Sequence, residues 1–363
     1  MNSFINNKPV IRSIAIFLEN KSSVREFIDY YYSTTAILND LKNTLEKNGY
    51  KVFTKRIVFP HISVDIRKKI IEEIDSSRDI LVSIGYSGFS DIERELVIES
   101  TVKGFYTALY GLWIKPVEYV KQASEIIHRI SSIEPFYASR LAVCFHREFV
   151  ESPYFPDTVS SGVESIGLSF LLPRHIIMYL RGNNSIDKYP LVFRKYLDEL
   201  EFIIRETTGF KNVFFDFSIS PWMDNSVVDL VEEIGFKFLE PGFNYGILML
   251  NELIGKLVEL SRESRGFNEV MLPYAEDYRL IEAGGRGCLK ARDLILYTST
   301  CVAGPDMIVV PESIEKLAKY MLDTYSIWVF KKKPIALRAI PVSNKPGDSV
   351  DLGKFGKVYV IDY

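Results

Sequence analysis

The stretch Val213-Phe-Phe-Asp-Phe-Ser-Ile219, followed after Pro221 by Asn225-Ser-Val-Val-Asp-Leu-Val-Glu-Glu-Ile-Gly235, decides the class of fold. In the first segment apolar residues recur at every second position, which predicts a strand. The second segment is predicted to be a helix, and it ends at a glycine that suits the left-handed conformation that stops many helices. A strand that leads directly into a helix is the repeating unit of an α/β fold.

The same alternation is predicted along most of the chain. Strands are expected at 10–18, 51–59, 79–85, 141–145, 166–172, 236–239, 270–272, 307–310, 335–342 and 357–361. Helices are expected between them, at about 23–49, 63–74, 187–207, 244–260, 290–300 and 313–325, with a short one ending at 284–285 and two more before residue 133. About ten strands interleaved with helices indicate a mostly parallel, buried sheet, open or closed. No long Pro/Gly/Ser linker divides the sequence, so residues 1–363 are predicted to form a single domain.

The composition is that of an ordinary globular protein. Hydrophobic residues make up 47% and charged residues 25% of the 363 residues, so a sizeable core is available. The net charge of −3 gives no overall field that would attract nucleic acid or an anionic membrane. The longest basic run, Lys331-Lys332-Lys333, stands beside Pro334 and is typical of a solvated loop. We therefore expect neither nucleic acid nor a membrane as a partner.

The sequence favours a cytoplasmic location. The apolar stretch that follows Val10 is too short for a signal sequence, and no segment offers about 18 uncharged apolar residues. The cysteines Cys144, Cys288 and Cys301 are odd in number and lack C-x-x-C spacing, which favours reduced thiols over a disulfide framework. The four histidines never have H-x-x-x-H spacing. A structural metal site is therefore not expected.

Two glycine-rich segments lack the spacing of nucleotide-binding loops. Gly284-Gly285-Arg286-Gly287 follows a predicted helix without the G-x-G-x-x-G pattern, so a helix end and turn are expected. Residues 347–354 have one residue too many for a phosphate loop and lie between predicted strands. No G-x-S-x-G or H-E-x-x-H sequence occurs. The sequence therefore indicates no particular cofactor.

Several stretches of the second half resemble one known family. They are Phe215-Asp-Phe-Ser-Ile-Ser-Pro221, Val270-Met-Leu-Pro-Tyr-Ala-Glu-Asp277, Ser299-Thr-Cys-Val-Ala-Gly-Pro-Asp-Met-Ile-Val-Val-Pro311 and Ala336-Leu-Arg-Ala-Ile-Pro341, with Gly347-Asp348 behind them. Their order and separation are similar to those of the uncharacterised family called domain of unknown function 711. The first half is similar more loosely, through Ile11-Arg-Ser-Ile14 and Gly162-Val-Glu164.

The resemblance implies a ten-stranded α/β barrel like that of the glycyl radical enzyme pyruvate formate-lyase. Two parallel five-stranded halves would pack antiparallel in it. The radical chemistry is not implied, because residues 351–363 lack the Arg-Val-x-Gly-Tyr segment that holds the radical and no two cysteines are adjacent. Family members often have His-Gly-Val-Gly-Glu where this chain has Ser161-Gly-Val-Glu164, which also disfavours a histidine-dependent role.

Three polar residues, Asp216, Ser218 and Ser220, share one face of the predicted strand 213–219 and its continuation. A buried parallel strand is usually apolar on both faces, so these groups need partners or a ligand. The next helix is predicted to begin close by, and its free N–H groups near Ser220 could hold an anion. The alternative is ordinary capping and turn bonding by serine and aspartate.

Arg338 lies in the middle of a predicted strand, where a charge is costly unless it is paired. One interpretation is an ion pair with Asp306, Asp216 or Glu276, and the other is a fork for a substrate carboxylate or phosphate. Glu276 and Asp277 follow a predicted strand, where ligand-facing groups often occur in α/β proteins. They are equally suited to the start of a helix, where the dipole favours carboxylates.

Cys301 follows a predicted helix and precedes the turn Gly304-Pro305-Asp306. A free cysteine in such a place is usually a small buried hydrophobe. The alternative is a nucleophile, which needs a nearby cation to lower the pKa of its thiol. Arg338 is a candidate for that cation.

Two functions are compatible with these features. The first is an enzyme that acts on a small anionic metabolite without glycyl radical chemistry; the alternative is a non-catalytic metabolite-binding sensor or scaffold that acts through a protein partner. The candidate catalytic residues are Cys301, Glu276 and Asp277. The candidate ligand-binding residues are Asp216, Ser218, Ser220, Asn244, Asp306 and Arg338. Association of the chain with further copies of itself is also compatible with the sequence.

Overall fold

The computed structural model describes residues 8–74, 79–302 and 305–363. Its strands are β1 Val10–Phe17, β2 Val52–Val58, β3 Ile80–Ser87, β4 Tyr106–Leu109, β5 Leu141–Cys144, β6 Ser165–Leu171, β7 Val213–Asp216, β8 Ile308–Pro311, β9 Ala336–Leu337, β10 Ala339–Val342, β11 Ser349–Asp351 and β12 Lys357–Tyr359. Its helices are α1 Val24–Lys47, α2 Val64–Glu73, α3 Asp91–Val102, α4 Pro116–Ile133, α5 Pro135–Ala138, α6 Pro173–Arg181, α7 Tyr189–Thr208, α8 Val227–Glu233, α9 Phe243–Leu260, α10 Tyr278–Gly285, α11 Ala291–Thr298 and α12 Ile314–Lys331.

The first of two compact units comprises Met1–Gly85, Phe149–Ile219 and Leu250–Glu269. Within it, β1 pairs in parallel with β2, β2 with β3, and β6 with β7. The two parallel groups meet where β1 pairs with β6 in antiparallel orientation. The direction of the strands therefore changes once within this unit.

The core of the first unit is built around β1. Its sequence is apolar at nearly every position, and all of its residues after Val10 are buried. Removing each large apolar side chain from water stabilises the fold by about 1.5–3 kcal/mol. α1 packs against α7 and turns an apolar stripe toward the core. Ser23 caps α1 as predicted, since its Oγ accepts a hydrogen bond from the N–H of Glu26 at 3.3 Å.

The second compact unit comprises Tyr86–Glu148, Ser220–Met249 and Val270–Tyr363. β4 pairs in parallel with β5, and β5 pairs with β9 in antiparallel orientation. β8 and β10 form a parallel pair, and β11 and β12 an antiparallel one. α4 packs against α12 and β10. The protein is therefore a mixed α/β protein in which parallel pairing predominates, as the sequence predicts.

Several predicted bounds are wrong. The predicted strand 213–219 ends at Asp216, and the predicted strand 335–342 is interrupted at Arg338. Residues 236–239 form no strand, and 270–272 hold a single isolated bridge residue. β4 and α6 occur where neither was predicted.

None of the helices in the described part of the chain combines the length and apolar character needed to cross a bilayer. The ten-stranded barrel and the single domain of residues 1–363 stay predictions.

Candidate functional site

Arg338 is the centre of a buried ion-pair cluster in the second unit. Its Nε and Nη2 atoms donate to Oδ1 and Oδ2 of Asp306 at 2.7 and 2.6 Å, which makes a bidentate pair. Nη2 also donates to Oε1 of Glu276 at 2.9 Å. The side chains of Arg338 and Asp306 are 10% exposed and that of Glu276 is 4% exposed. Two of the three carboxylates that the sequence left open as partners are therefore the partners.

The strands and turns of the second unit bring these residues together. β10 pairs with β8, and the N–H of Ile308 donates to the carbonyl of Arg338 at 3.1 Å. The N–H of Tyr274 donates to the carbonyl of Asp306 at 2.8 Å, which fixes the turn that carries Glu276. The cluster therefore lies at the amino end of β8, whereas ligands of α/β proteins usually bind at the carboxyl ends of strands.

Burial and charge act in opposite directions in this cluster. Burial raises the pKa of Asp306, although the Arg338 guanidinium opposes that rise, and the Glu276 carboxylate adds to it. Burial alone lowers the pKa of Arg338, but Asp306 and Glu276 outweigh burial and raise it above its ordinary value. One positive and two negative groups give a net charge of −1. A proton on Asp306 would make the cluster neutral.

One nitrogen of Arg338 is not used by these pairs. Nη1 makes no hydrogen bond to any residue of 8–74, 79–302 or 305–363. Nη1 is not one of the fully buried polar atoms that lack a partner. This nitrogen is therefore in contact with solvent. The guanidinium is thus held rigidly through Nε and Nη2 and presents one N–H₂ group for a further contact.

Asp277 holds two helices together. Its Oδ1 accepts a hydrogen bond from the N–H of Arg279 at 3.0 Å, which caps α10. Its Oδ2 accepts from Ser226 Oγ at 3.0 Å and from the N–H of Val227, at the start of α8, at 2.9 Å. Burial raises the pKa of Asp277 to about 6, against the opposing effect of these hydrogen bonds. Of the two interpretations of this carboxylate, the helix-start role matches its contacts.

We expect Asp277 to make the protein less stable as the pH rises from about 4 to about 6. Its pKa is higher in the folded state than the ordinary value of 3.8, so the folded state binds the proton more tightly. The tighter binding of this proton adds at most about 3 kcal/mol to the free energy of unfolding. The addition is fully present below the pKa of the unfolded state, and it is lost as the pH rises through the pKa of the folded state. Urea unfolding across this pH range measures it. The free energy of unfolding should change less steeply with pH in Asp277→Asn than in the wild type. Equal slopes in the two proteins would contradict the raised pKa of Asp277.

Asp216 and Ser218 form a separate network in the first unit. Oδ1 of Asp216 accepts hydrogen bonds from the N–H and Oγ of Ser218 and from the N–H of Asn268, at 3.0, 2.6 and 3.2 Å. Oδ2 accepts from Ser152 Oγ at 2.7 Å and from the N–H of Phe267 at 3.0 Å. The predicted strand ends here because the backbone turns to bond its own carboxylate. These polar groups are therefore satisfied by the protein, as in the capping and turn alternative.

The close fit of this network requires a glycine. Gly266 has φ +97°, in the left-handed region, and a Cβ added there would lie 2.1 Å from Asp216 Oδ2. The backbone of the loop that ends at Glu269 can approach the carboxylate only because Gly266 has no side chain. Asp216 thus ties β7 to that loop.

Two backbone N–H groups in the first turn of α8 already have hydrogen-bond partners. The N–H of Val227 bonds to Asp277, and the N–H of Asp229 donates to Ser226 Oγ at 3.2 Å. These two N–H groups are therefore satisfied by the protein, as in the capping alternative. Ser220 itself is buried, and its role in ligand binding stays a prediction.

Asn244 is not the N-cap that the sequence predicts. It lies inside α9, and its Oδ1 accepts a hydrogen bond from Thr300 Oγ1 at 2.8 Å. The helix begins one residue earlier than predicted, at Phe243. A ligand-binding role for Asn244 stays a prediction.

Cys301 is fully buried in the second unit. Its N–H donates to the carbonyl of Tyr297 at 2.9 Å, and its own carbonyl accepts from Lys331 Nζ at 2.7 Å. The thiol lies near the phenol of Tyr320. Burial raises the pKa of Tyr320, and Cys301 makes a smaller contribution in the same direction. Within the described residues, Arg338 gives its hydrogen bonds to carboxylates and none to Cys301. Gly304, in the predicted turn after Cys301, lies outside the described residues.

His146 is a functional candidate that the sequence pattern does not single out. Its side chain is fully buried, and its Nε2 atom has no hydrogen-bond partner among the described residues. It follows directly after the predicted strand 141–145. A polar residue at the carboxyl end of a buried strand is the signal that could have identified it.

These features define a mixed α/β protein with a rigid, buried guanidinium–carboxylate cluster. Residues 196–353 match the family described as an uncharacterised ACR, DUF711. This match confirms the resemblance of that region to the uncharacterised family. The matched residues include every candidate from Asp216 to Arg338.

Curated relatives also match parts of the chain. A UPF0210 protein of Methanocorpusculum labreanum is 32% identical over 219 residues, which are 56% of this chain and 48% of the relative. A UPF0210 protein of Oenococcus oeni is 33% identical over 139 residues, 37% of this chain and 31% of the relative. One of Caldicellulosiruptor saccharolyticus is 28% identical over 139 residues, with the same coverage. The chain spans less than half the length of these relatives.

Proposed function

We propose that the chain is an enzyme that binds a small anionic metabolite at Arg338 and acts on it by acid–base chemistry, without a glycyl radical. The observation that supports this proposal is that only two of the three guanidinium nitrogens of Arg338 have hydrogen-bond partners in the described chain. Asp306 and Glu276 fix Nε and Nη2, whereas Nη1 has no partner in the described chain. An arginine that is already fixed loses little conformational entropy when a carboxylate or phosphate binds to it.

The charge of the cluster makes anion binding dependent on pH. With both carboxylates ionised, the net charge of −1 opposes a second anion. Burial raises the pKa of Asp306, so a proton can be taken up there more easily than on an ordinary aspartate. A proton taken up when the ligand binds removes the repulsion. Anion binding is therefore stronger at lower pH.

The acid–base step is assigned to Glu276. Its carboxylate would take a proton from the carbon next to a carbonyl of the metabolite, and the C–H electrons would form an enolate. Arg338 stabilises the negative enolate oxygen, and the same carboxyl group returns the proton. Asp277 positions the helix that follows, since its oxygens are already bonded. Cys301 stays in the proposal as a nucleophile that must be uncovered first, because it is fully buried.

The barrel belongs to the same proposal. In the first unit two parallel groups meet at the antiparallel pair β1–β6, and in the second unit parallel pairs accompany the antiparallel pair β5–β9. Both patterns are compatible with two parallel halves that run in opposite directions. A ten-stranded barrel formed by residues 1–363 would place such strands around one interior.

We expect small anions to raise the melting temperature of the wild-type protein and to do so less in Arg338→Lys. The lysine keeps the positive charge for Asp306 and Glu276 but removes the N–H₂ group of Nη1. A ligand that binds only the folded state raises its stability. Melting curves with phosphate, pyruvate or succinate, at mildly acidic and mildly alkaline pH, measure the effect. The shift should be larger at acidic pH.

Arg129→Lys is the matched control, because Arg129 pairs with Glu95 on the surface of the same unit. This variant should keep the full response to the anions. If Arg338→Lys also keeps the full response, or if no anion shifts the wild-type melting temperature at either pH, the anion site at Arg338 is wrong.

The second candidate function is a metabolite-binding sensor or scaffold that acts through a protein partner. Exposed apolar side chains near the end of α12 favour it, since Phe330 is 88% and Val329 43% exposed. Proton exchange between a bound metabolite and the solvent distinguishes the two functions. Only the enzyme would exchange the methyl protons of bound pyruvate for deuterium in heavy water, and Glu276→Gln would abolish that exchange. Binding without exchange favours the sensor.

A further inference from the structure

A cluster of rings lies at the carboxyl ends of β4 and β5 in the second unit. The rings of Tyr86 and Tyr110 stack with centroids 4.9 Å apart and planes 14° from parallel. Trp113 meets Tyr110 edge-on at 4.6 Å. The imidazole of His146 is edge-on to both tyrosines, at 5.9 and 6.2 Å. A mostly aromatic wall of this kind, with a few polar atoms in it, is typical of small-molecule sites.

The Tyr110 hydroxyl of this wall donates to the carbonyl of Arg147, whereas Nε2 of His146 has no partner among the described residues. Nδ1 lies 2.7 Å from the carbonyl of Glu148, which can only accept, so Nδ1 carries the hydrogen. Nε2 is therefore a hydrogen-bond acceptor, and it is buried without a donor among the described residues. An unpaired buried group of this kind destabilises the fold. Burial also lowers the pKa of His146 to about 4, so the ring is neutral at neutral pH.

The strand register shows which residues share a face with His146. Leu109 is opposite Val143 in the parallel pair β4–β5, so Tyr110 is level with Cys144. The ladder between β5 and β9 continues past Cys144, because the N–H of Phe145 donates to the carbonyl of Ile335 at 2.9 Å. Cys144 and His146, two positions apart, thus point to the same face as Tyr110.

We infer that Nε2 of His146 accepts a hydrogen bond from the O–H or N–H group of a ring-shaped ligand that packs against the tyrosines. This inference does not depend on the function proposed for Arg338. His146 is fully buried and Tyr110 beside it is partly exposed. Entry of the ligand therefore requires the Tyr110 ring to rotate outward. The ligand class is a small molecule with an apolar or aromatic ring and one hydroxyl or amine donor.

Phenol and anisole form a pair of probes, since a methyl group replaces the O–H hydrogen of phenol in anisole and removes the donor. In the full chain with ¹⁵N-labelled histidine, phenol should move the Nε2 resonance of His146 upfield in the direction of a hydrogen-bonded acceptor. Anisole should leave it in place. His175, whose Nδ1 lies 2.7 Å from the Tyr189 hydroxyl and whose Nε2 is not among the buried polar atoms without a partner, serves as the internal control and should not respond.

Melting curves give a second readout. Phenol should raise the melting temperature of the wild type and of His146→Gln, which keeps an acceptor, but not of His146→Phe. An equal response of His146 to phenol and anisole would overturn the inference, as would no response to saturating phenol. The wild-type spectra decide the question even if His146→Phe fails to fold.

Discussion

Replacing Arg338 by alanine should lower the free energy of unfolding by about 3–5 kcal/mol, because it leaves two buried carboxylates without their cation. Asp306 loses both hydrogen bonds of a bidentate pair, and Glu276 loses one. Their side chains are 10% and 4% exposed, so water can replace the guanidinium only in part. Urea unfolding of the two proteins at neutral pH measures the difference.

The control for this prediction is Arg129→Ala. Its partner Glu95 is exposed, and surface ion pairs of this kind contribute little to stability. The loss in Arg338→Ala should also become smaller at low pH, where Asp306 and Glu276 can become neutral. If Arg338→Ala is as stable as Arg129→Ala, the cluster is not the buried network described above.

Replacing Asp216 by alanine should lower the free energy of unfolding by about 3–5 kcal/mol. The change removes the acceptor of three backbone N–H groups, those of Ser218, Phe267 and Asn268. Each buried donor left without a partner costs about 1–3 kcal/mol, and partial hydration of the new space reduces the sum. Thermal or urea unfolding measures the effect.

Asp216→Asn separates shape from hydrogen bonding. The amide has the size of the carboxylate, but whichever way it faces, its NH₂ group meets at least one backbone N–H. We expect an intermediate loss of stability. Asp91→Ala, at an exposed pair with Arg94, should have no measurable effect. Wild-type stability in Asp216→Asn would show that the network does not need a carboxylate.

The sequence predicts the α/β class because strand and helix periods are local properties. It does not predict where the strand 213–219 ends, because period-two alternation continues through Ser218 while the backbone turns back to Asp216. That turn depends on the loop around Gly266, which is distant in sequence. The end of β7 is thus set by a tertiary contact.

The candidate site is predictable only in part for the same reason. A charge in a strand pattern indicates that Arg338 needs partners, and the register of β8 and β10 then selects Asp306. Asp277 looks like either a catalytic or a capping carboxylate until its contacts with Ser226 and Val227 are known. His146 follows a predicted buried strand, but its significance comes from one unpaired atom, which only the structure shows.

A crystal structure of the wild-type chain with the anion that stabilises it most would test the anion site at Arg338 most directly. We predict density for the carboxylate or phosphate group within hydrogen-bond distance of Arg338 Nη1, with Nε and Nη2 still bound to Asp306 and Glu276. Density for the anion elsewhere, with Nη1 bonded to a carbonyl of the chain, would contradict the proposal.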